Sequence, residues 1–398
     1  MVSHGPPMRG GIATVATDIV EDPSLCSEFE VVFVNTSQND EARGDFAWAN
    51  VVRAFGHAAR TFVAARRGAV VHTHSVQHPV FVAWRQVAIA AAARARGARV
   101  VLHNHGFLPY MLEPGQYSVG TAHRIAFALL DRLADANVLI GEAGVANLRM
   151  HMPRIDLPVV HNSVVVGDVP ASSGVHDPPV LLFVGELLER KGLAVLLDAL
   201  DIVDSGGSFA YELRIVGDDT PGVDPERDSM VEQIRGRGRG DCLTGPLPRD
   251  EVYREMGSAD VFLLPTEYEG QPFTIIEALA AGVPIVASDI PAIASMLDGG
   301  STSPEEGACC DAGQQLPPER AEHGMLVPWG DARGLAEAIE QLLADPRRRQ
   351  RISASNRELA ARSFDRSVFV ARLGEIYRRY GRPRTSVLRR QRAAGGTP

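Results

Sequence analysis

Residues 261–288 read VFLLPTEYEGQPFTIIEALAAGVPIVAS, and they alternate apolar runs with a polar loop. The apolar run 261–264 predicts a buried strand, and apolar residues at helical spacing predict a short helix over 273–281. Gly282 gives that helix its stop, and the apolar run 283–287 predicts a second buried strand. Strand, loop, helix and strand in this order are typical of a doubly wound parallel sheet, which binds ligands where loops leave the carboxyl ends of its strands. We therefore expect a ligand site in the loop that precedes the helix.

Two carboxylates, Glu269 and Glu277, occur in this loop and helix with seven residues between them. A carboxylate can accept two hydrogen bonds from a diol, and the free amides of a helix start attract anionic phosphate. The same residues allow a structural interpretation, in which Thr274 caps the helix, Glu277 bonds back to the cap amide and Glu269 is a solvated loop acid. The candidate ligand-binding residues of the stretch are Glu269, Gly270, Gln271, Pro272, Phe273, Thr274 and Glu277.

Length and composition indicate a globular protein of two or three domains. The chain has 398 residues, of which 45% are hydrophobic and 22% are charged, and this is ordinary for a folded protein in water. Its net charge of -9 argues against general nucleic-acid binding. The four cysteines are few and irregularly spaced, so they indicate neither a disulfide framework nor a zinc site. No apolar run is long enough to span a bilayer and no signal segment is evident, so the expected location is the cytoplasm.

The first half of the chain alternates predicted strands with predicted helices. Strands are predicted over 30–35, 69–72 and 99–103, and helices over 48–67 and 80–96. Because strands and helices alternate at this rhythm, the first half is expected to form a parallel sheet with right-handed crossovers.

A loop with Gly10 and Gly11 precedes an apparent helix that begins at Ile12. Paired glycines let the backbone approach a ligand closely and present helix amides to it, although a plain turn is the alternative. Residues 1–3 are too short to be the complete strand that is expected before such a loop. Gly10 and Gly11 are therefore candidate ligand contacts with an incomplete strand in front of them.

Two His-x-His segments fall at the carboxyl ends of predicted strands, one with His72 and His74 and the other with His103 and His105. Imidazole is a common zinc ligand, but no acid or cysteine adjacent in the sequence completes a convincing ligand set. We therefore expect no metal here, and we interpret His72, His74 and His103 as hydrogen-bonding residues at strand ends.

The second half opens with a predicted strand over 180–184, a loop that begins at Gly185, and a helix. Lys191 lies at the end of that loop and is the only lysine among the 40 basic residues, all others being arginine. A compact ammonium on a flexible stem suits contact with phosphates, while a solvated cation at a helix start is the structural alternative. The next predicted strand, 211–216, ends in a turn at Gly217.

Five segments of the chain follow one another in a particular order. They are the glycine loop at residue 10, His105 before Gly106, the loop from 185 to 192, the two glutamates and a short strand at 324–327. That order resembles the retaining GT-B glycosyltransferases of family 4, and the resemblance covers nearly the whole chain. It implies an α/β fold with two Rossmann-like, doubly wound parallel-sheet domains that face a central cleft. It also implies transfer of a sugar from a nucleoside diphosphate sugar to a hydroxyl acceptor, with retention of anomeric configuration and without a metal or other cofactor.

The resemblance also implies roles for individual residues. His105 would lie beside the reacting sugar, Lys191 would stabilise the departing diphosphate and Glu269 would orient the sugar hydroxyls, so these three are the expected catalytic residues. Glu277 would hold the ribose. Glu186 stands where the family has an arginine, and Arg190 is a nearby cation that can take that role. Further donor contacts are expected at Gly10, Gly11, Gly185, Arg190, Lys191, Gly217, Gly270, Gln271, Pro272, Phe273 and Thr274.

The same resemblance sets the expected domain boundaries. An acceptor-side domain is followed by a linker and a donor-binding domain, and the last long helix crosses back to the first domain. An arginine-rich tail is expected to be disordered. The expected bounds are 1–166 for the first domain, 167–179 for the linker, 180–363 for the second domain with an insertion at 298–320, 364–380 for the helix, and 381–398 for the tail.

The expected acceptor is a lipid-linked precursor of cell-envelope or secreted polysaccharide, on the resemblance alone. Arginines on helices near 53–67 and 85–99 and in the tail can dock on anionic lipid at the inner face of the plasma membrane, with simple solvated surfaces as the alternative. Two other functions stay open. A nucleotide-sugar epimerase shares the GT-B architecture, and Glu186 is compatible with a non-catalytic subunit that binds nucleotide sugars.

Overall fold

The computed structural model describes residues 1–6, 10–37, 48–76, 79–106, 119–298 and 322–381. The chain divides into two compact units, of which unit 1 is Met1–Val160 with Phe369–Pro398 and unit 2 is His161–Val368. The predicted insertion and the predicted tail lie almost entirely outside the described residues. Among the described helices, none has both the length and the apolar character that crossing a bilayer requires.

Unit 1 is built on a parallel sheet with the strand order β2-β1-β3-β4-β5. Its strands are β1 (Val2–Ser3), β2 (Val34–Asn35), β3 (Val70–Ser75), β4 (Arg99–Asn104) and β5 (Ala136–Leu139). Its helices are α1 (Gly11–Glu21), α2 (Pro23–Glu28), α3 (Trp48–Ala64), α4 (Val80–Ala95), α5 (Thr121–Leu133), α6 (Val145–His151) and, from Phe369 onwards, α14 (Arg366–Tyr380). Apolar side chains of β4 and α5, such as Val100 and Phe127, are fully buried in its core.

The first strand is as short as the sequence predicts. It contains only Val2–Ser3, and Val2 pairs in parallel register with both Val34 of β2 and Thr73 of β3. Val2 is buried at 3% exposure, so two residues are enough here because neighbours on both sides satisfy the backbone. The neighbouring strand was predicted over 30–35 but contains only Val34–Asn35, since β1 offers only two residues for pairing.

Unit 2 is built on a second parallel sheet with the strand order β11-β10-β9-β6-β7-β8. Its strands are β6 (Val180–Val184), β7 (Glu212–Val216), β8 (Leu243–Gly245), β9 (Val261–Leu264), β10 (Ile285–Ser288) and β11 (Gly324–Val327). Its helices are α7 (Leu193–Gly206), α8 (Pro225–Gly236), α9 (Arg249–Gly257), α10 (Phe273–Ala281), α11 (Pro291–Leu297), α12 (Ala332–Ala344) and α13 (Pro346–Leu359). Every residue of β6, β9 and β10 is buried, which explains why these strands read as unbroken apolar runs.

The order of strands in unit 2 reverses between β6 and β9. The chain adds β7 and β8 on one side of β6, and then places β9 on the other side. In open parallel sheets, ligands bind in the crevice that forms at such a switch point, outside the carboxyl ends of the two strands. The topology therefore points to the loops that follow Val184 and Leu264.

Helix α10 ends as the sequence predicts, but the next strand starts later than predicted. Gly282 has a left-handed backbone with φ of 77°, and its N–H donates to the carbonyl of Leu279. The N–H of Val283 donates back to the carbonyl of Ala278 at 2.8 Å, which completes a Schellman motif. Because this amide is used by the helix end, the strand predicted over 283–287 begins at Ile285.

Asp260, directly before β9, is expected to be the most costly acid to remove from the fold of unit 2. Its carboxylate is fully buried and accepts hydrogen bonds from Val180 N at 2.8 Å and His176 Nδ1 at 2.9 Å, with Arg349 Nε at 4.0 Å. Asp260→Ala leaves these groups unpaired, so we expect a loss of about 3–5 kcal/mol in the free energy of unfolding. Chemical denaturation measures this loss, and Asp250→Ala at an exposed ion pair should cost under about 1 kcal/mol. Equal losses of unfolding free energy in Asp260→Ala and Asp250→Ala would contradict the prediction that the buried Asp260 stabilises unit 2 more than an exposed acid does.

Candidate functional site

The candidate site of unit 2 is formed by two loops that follow β6 and β9. The carbonyl oxygen of Arg190 accepts hydrogen bonds from Thr266 Oγ1 at 3.1 Å and from Glu267 N at 2.8 Å. These bonds hold the end of the first loop against the start of the second loop. Thr266 is fully buried and was not identified from the sequence, where its only signal is its place as the first polar residue after β9 and Pro265.

Glycines allow these loops to approach one another closely. Gly192 has φ of 75°, and a Cβ atom added to it would lie 1.8 Å from the carbonyl oxygen of Pro265. A Cβ atom on Gly217 would lie 2.6 Å from the carbonyl oxygen of Gly185. The three loop segments after β6, β7 and β9 therefore meet backbone to backbone, with no room for side chains at these two glycines.

Lys191 and Glu269 are brought together by this packing, although 78 positions separate them in the sequence. Lys191 Nζ donates a hydrogen bond to Glu269 Oε1, and each side chain is only 13% exposed. An ammonium has three donors, so two remain for other acceptors. The pair can therefore present a cation to an anionic ligand while the second carboxylate oxygen of Glu269 stays available to a hydroxyl group.

The start of α10 contradicts the capping-box interpretation. Pro272 occupies the N-cap position and no side chain caps the helix, while Thr274 is already its second residue. Because proline has no N–H and the cap position is shifted, Thr274 and Glu277 do not have the spacing that the motif requires. The first amides of α10 are left without side-chain partners, and such amides are suited to bind an anion. Phe273 packs against the core of unit 2, and Gly270 lies in the loop before it.

Glu277 lies one turn into α10 and is buried at 7% exposure. Burial raises the pKa of its carboxyl group from 4.5 to about 7, and the nearby Arg249 opposes this shift only in part. A carboxylate in so dry a place is costly unless a ligand or another group donates hydrogen bonds to it. A strongly shifted acid beside an uncapped helix start is a typical feature of a binding site.

The side chain of Gln271 is engaged within unit 2. Its Oε1 accepts from Asn162 N at 2.6 Å, and its Nε2 lies 2.7 Å from His161 Nδ1. Asn162 Nδ2 also donates to the carbonyl oxygen of Gln271 at 3.3 Å. The side-chain amide of Gln271 thus ties the loop to residues 161–162. The predicted contact of Gln271 with the sugar donor is therefore left to its backbone.

Arg190 and Glu186 form an ion pair along the loop after β6. The guanidinium of Arg190 also lies over the ring of Tyr268, 5.6 Å from its centroid. Glu186, which stands where the family has an arginine, is therefore neutralised by Arg190, the residue that was predicted to take the role of that arginine. Whether Arg190 contacts phosphate stays a prediction.

In unit 1, Gly10 and Gly11 start helix α1. Gly10 is the N-cap, with φ of 126° and no side-chain cap, and nothing lies within 4 Å of where its Cβ atom would be. The positive φ favours glycine at this position, and Gly11 is the first helical residue. The geometry is compatible with the predicted ligand contact, which stays a prediction.

Four histidines of unit 1 share one face of its sheet. Strands β3 and β4 continue through Ser75 and Asn104, beyond the predicted ends at 72 and 103, because the two strands pair in parallel register up to those residues. His74 is the register partner of His103, and side chains alternate between faces, so His72 and His105 lie on the same side.

His105 is fixed by another member of this group. Its Nε2 lies 2.8 Å from His74 Nδ1, and burial lowers its pKa to about 3, so the imidazole is neutral at physiological pH. The sequence alone did not show that the two His-x-His segments meet. The equal spacing of the histidines on consecutive strands of a parallel sheet is the signal that could have shown it.

Residues 178–345 match the family model for Glycosyl transferases group 1. The chain is 31% identical over 250 residues to a phosphatidyl-myo-inositol mannosyltransferase of Mycobacterium leprae. That match covers 60% of this chain and 59% of the relative, so the chain spans less than two thirds of the relative's length.

Solved structures with the same fold cover both units. Sucrose-phosphate synthase from Thermosynechococcus elongatus is similar over 95% of each chain, with a TM-score of 0.66 and 19% identity. Anabaena HepE in complex with UDP is similar over 81% of this chain and 82% of that chain, with a TM-score of 0.64 and 18% identity. At these identities the likeness establishes the fold alone.

Proposed function

We propose that the protein transfers a sugar from a nucleoside diphosphate sugar to a hydroxyl acceptor, because residues 178–345 match the family model for Glycosyl transferases group 1 and the chain has the GT-B fold predicted from the sequence. The observation that carries the proposal is the grouping of Lys191, Glu269 and the uncapped start of α10 around the switch point of unit 2. The complex of Anabaena HepE with UDP, a protein of the same fold, supports a nucleotide as the ligand.

The chemistry of this site fits the departure of a diphosphate. Negative charge grows on the leaving phosphate oxygens in the transition state, and the Lys191 ammonium with the first amides of α10 would stabilise it. These groups act as fixed charges and dipoles, so we propose that this step needs no metal ion. Glu269 would orient the sugar hydroxyls through its free oxygen, and Glu277 would accept hydrogen bonds from the ribose diol.

Retention of anomeric configuration is part of the proposal. Glu269 is held by Lys191, which suits a carboxylate that positions hydroxyl groups better than one that attacks carbon. The neutral imidazole of His105 is assigned to the sugar by the family resemblance, and it can donate or accept a hydrogen bond there.

We propose a lipid-linked or cell-envelope polysaccharide precursor as the acceptor. The relative from M. leprae is a phosphatidyl-myo-inositol mannosyltransferase, which supports a lipid-linked acceptor. Helix α3 supports contact with an anionic membrane surface, because Val52, Phe55 and Val63 form an exposed apolar stripe on it, at 69%, 69% and 80% exposure. Arg60 lies on the same helix, and basic amphipathic helices bind anionic lipid surfaces.

Glu277→Gln is expected to weaken nucleotide binding by about 10- to 100-fold, because the ribose diol loses a charged acceptor. The experiment is a thermal-shift and turnover screen of UDP, GDP, ADP, TDP and CDP and their sugars, without added metal. Stabilisation of the wild type by one nucleotide and its loss in Glu277→Gln would support the donor site. Stabilisation of both proteins alike would remove Glu277 from that site.

The same variant is expected to stabilise the unliganded protein, although it weakens nucleotide binding. The folded-state pKa of about 7 lies above the ordinary 4.5, so the stability that Glu277 contributes decreases as pH rises from about 4.5 to 7. At pH 8 the ionised carboxylate costs about 3 kcal/mol, which a neutral glutamine avoids. Unliganded Glu277→Gln should therefore have a higher Tm than the wild type at pH 8. Glu251→Gln, at an exposed acid of α9, should change neither Tm nor affinity.

A further inference from the structure

Three buried histidines of unit 1 have their ring nitrogens close together. In the described part of the chain, His72, His74 and His103 are the residues whose potential metal-binding atoms form such a group, all within 4.8 Å of one another. Each is at most 2% exposed, and all three project from the same face of strands β3 and β4. We propose that His72, His74 and His103 bind one zinc ion.

Four ring nitrogens of these three histidines lack hydrogen-bond partners among the described residues. Nε2 of His72, Nε2 of His74 and both ring nitrogens of His103 have none among the described residues. A buried polar atom without a partner costs about 1–3 kcal/mol, and four such atoms in one place are unusual for a native protein. One metal ion would satisfy a nitrogen from each of the three side chains at once.

Hydrogen bonds on the opposite ring nitrogens prepare two of the ligands. His72 Nδ1 lies 2.7 Å from Tyr377 Oη of α14, and His74 Nδ1 lies 2.8 Å from His105 Nε2. When each Nδ1 carries the proton and donates it, the lone pair is on Nε2, which is the unpartnered atom. Metal-binding histidines usually make such a bond with their other nitrogen, because it fixes the tautomer and the ring orientation.

The ligand set selects the kind of ion. Three imidazole nitrogens suit zinc or another late transition metal, whereas magnesium and calcium prefer oxygen ligands. Zinc–nitrogen bonds of about 2.0–2.1 Å place ligand atoms about 3.4 Å apart in a tetrahedron, so small rotations of the rings would close the site. A water molecule would take the fourth position, as at other three-histidine zinc sites.

An ion at this place would connect three elements of unit 1. It would link β3 to β4 directly, and through His72 and Tyr377 it would link both strands to α14. It would also hold His74 in the orientation that bonds to His105. The inference concerns unit 1 alone and does not rest on the proposed function.

The test measures metal content and not sugar transfer. The full chain is produced without a histidine tag, washed with a weak chelator and analysed by mass spectrometry for metals, and we expect about one zinc ion per chain. Replacement by Co²⁺ should give the visible absorption of a tetrahedral cobalt–imidazole site. His103→Ala should lose both signals, whereas His57→Ala, at a buried histidine of unit 1 outside the group, should keep them.

A second variant keeps the test informative if His103→Ala does not fold. Tyr377→Phe keeps all three ligands and the ring but removes the bond to His72, so zinc affinity should fall about 10- to 100-fold. Wild-type protein that takes up neither zinc nor cobalt would overturn the proposal, and ordered water would then be the partner of these nitrogens. Metal content that is equal in the wild type and His103→Ala would overturn it as well, because the metal would then be adventitious.

Discussion

Lys191→Ala is expected to lower the turnover number for donor cleavage by about 100- to 1,000-fold, which is the usual effect of removing one group that stabilises developing charge. The loss should exceed the loss of donor affinity, because the charge on the leaving phosphate grows in the transition state. The variant also leaves Glu269 without its cation partner, so an uncompensated carboxylate would face the phosphates. Both the lost ammonium and the uncompensated carboxylate therefore lower the turnover number.

A double-mutant cycle separates these two causes. Glu269→Gln combined with Lys191→Ala removes the uncompensated carboxylate, so the double variant should recover part of the rate lost in Lys191→Ala. Arg254→Ala, which breaks an exposed ion pair in unit 2, is the matched control and should leave turnover unchanged. Turnover in Lys191→Ala within a few-fold of the wild type would remove Lys191 from the mechanism.

The composition of the chain gives this lysine a direct spectroscopic probe. Lys191 is the only lysine, so ¹³C-methylation of amines labels its ammonium and the chain terminus alone. The Lys191 resonance should shift when the correct nucleoside diphosphate binds, and Glu269→Gln should shift it in the free protein. A resonance that is insensitive to every nucleotide would place the ligand elsewhere.

Gly192→Ala is expected to destabilise unit 2 by about 4 kcal/mol or more. The methyl group would lie 1.8 Å from the carbonyl oxygen of Pro265, so backbone must move, and the left-handed conformation adds about 1–2 kcal/mol. Chemical denaturation measures the change. Gly207→Ala is the matched control, because Gly207 has φ of 60° at the end of α7 but nothing within 4 Å of its Cβ position.

The two glycine variants separate conformational strain from close approach. Gly207→Ala should lose only about 1–2 kcal/mol, which is the cost of the left-handed conformation. The excess in Gly192→Ala reports the contact with Pro265, on which the position of Lys191 depends. Similar losses in both variants would mean that the loops can separate without cost, and the close approach would then have no role in holding Lys191.

The fold of unit 2 could be predicted because its determinants are local in sequence. Strands that are buried on both faces must be apolar throughout, and helix α10 is bounded by Pro272 and Gly282, so their spans could be identified directly. The two-residue strand Val2–Ser3 could not be identified in this way. It exists because neighbouring strands on both sides pair with it, and pairing partners are not visible in a local pattern.

The candidate site was predictable in its residue types but not in its contacts. Lys191 and Glu269 were identified separately, while their ion pair depends on Thr266 and Gly192, whose partners are distant in the sequence. Thr274 and Glu277 matched a capping box by spacing, yet Pro272 takes the cap position. The raised pKa of Glu277 depends on burial by the whole unit, which spacing cannot show.

The chain segments that make up each unit determine the order in which the two units can be completed on the ribosome. Unit 2 is one continuous segment, 161–368, whereas unit 1 needs residues from both parts of the chain that flank it. His72 is synthesised 305 positions before Tyr377, the partner of its Nδ1 atom. During translation, the sequence of unit 2 is therefore complete while unit 1 still lacks the end of α14. Residues 1–160 are therefore synthesised before unit 2, but the unit to which they belong is completed after it.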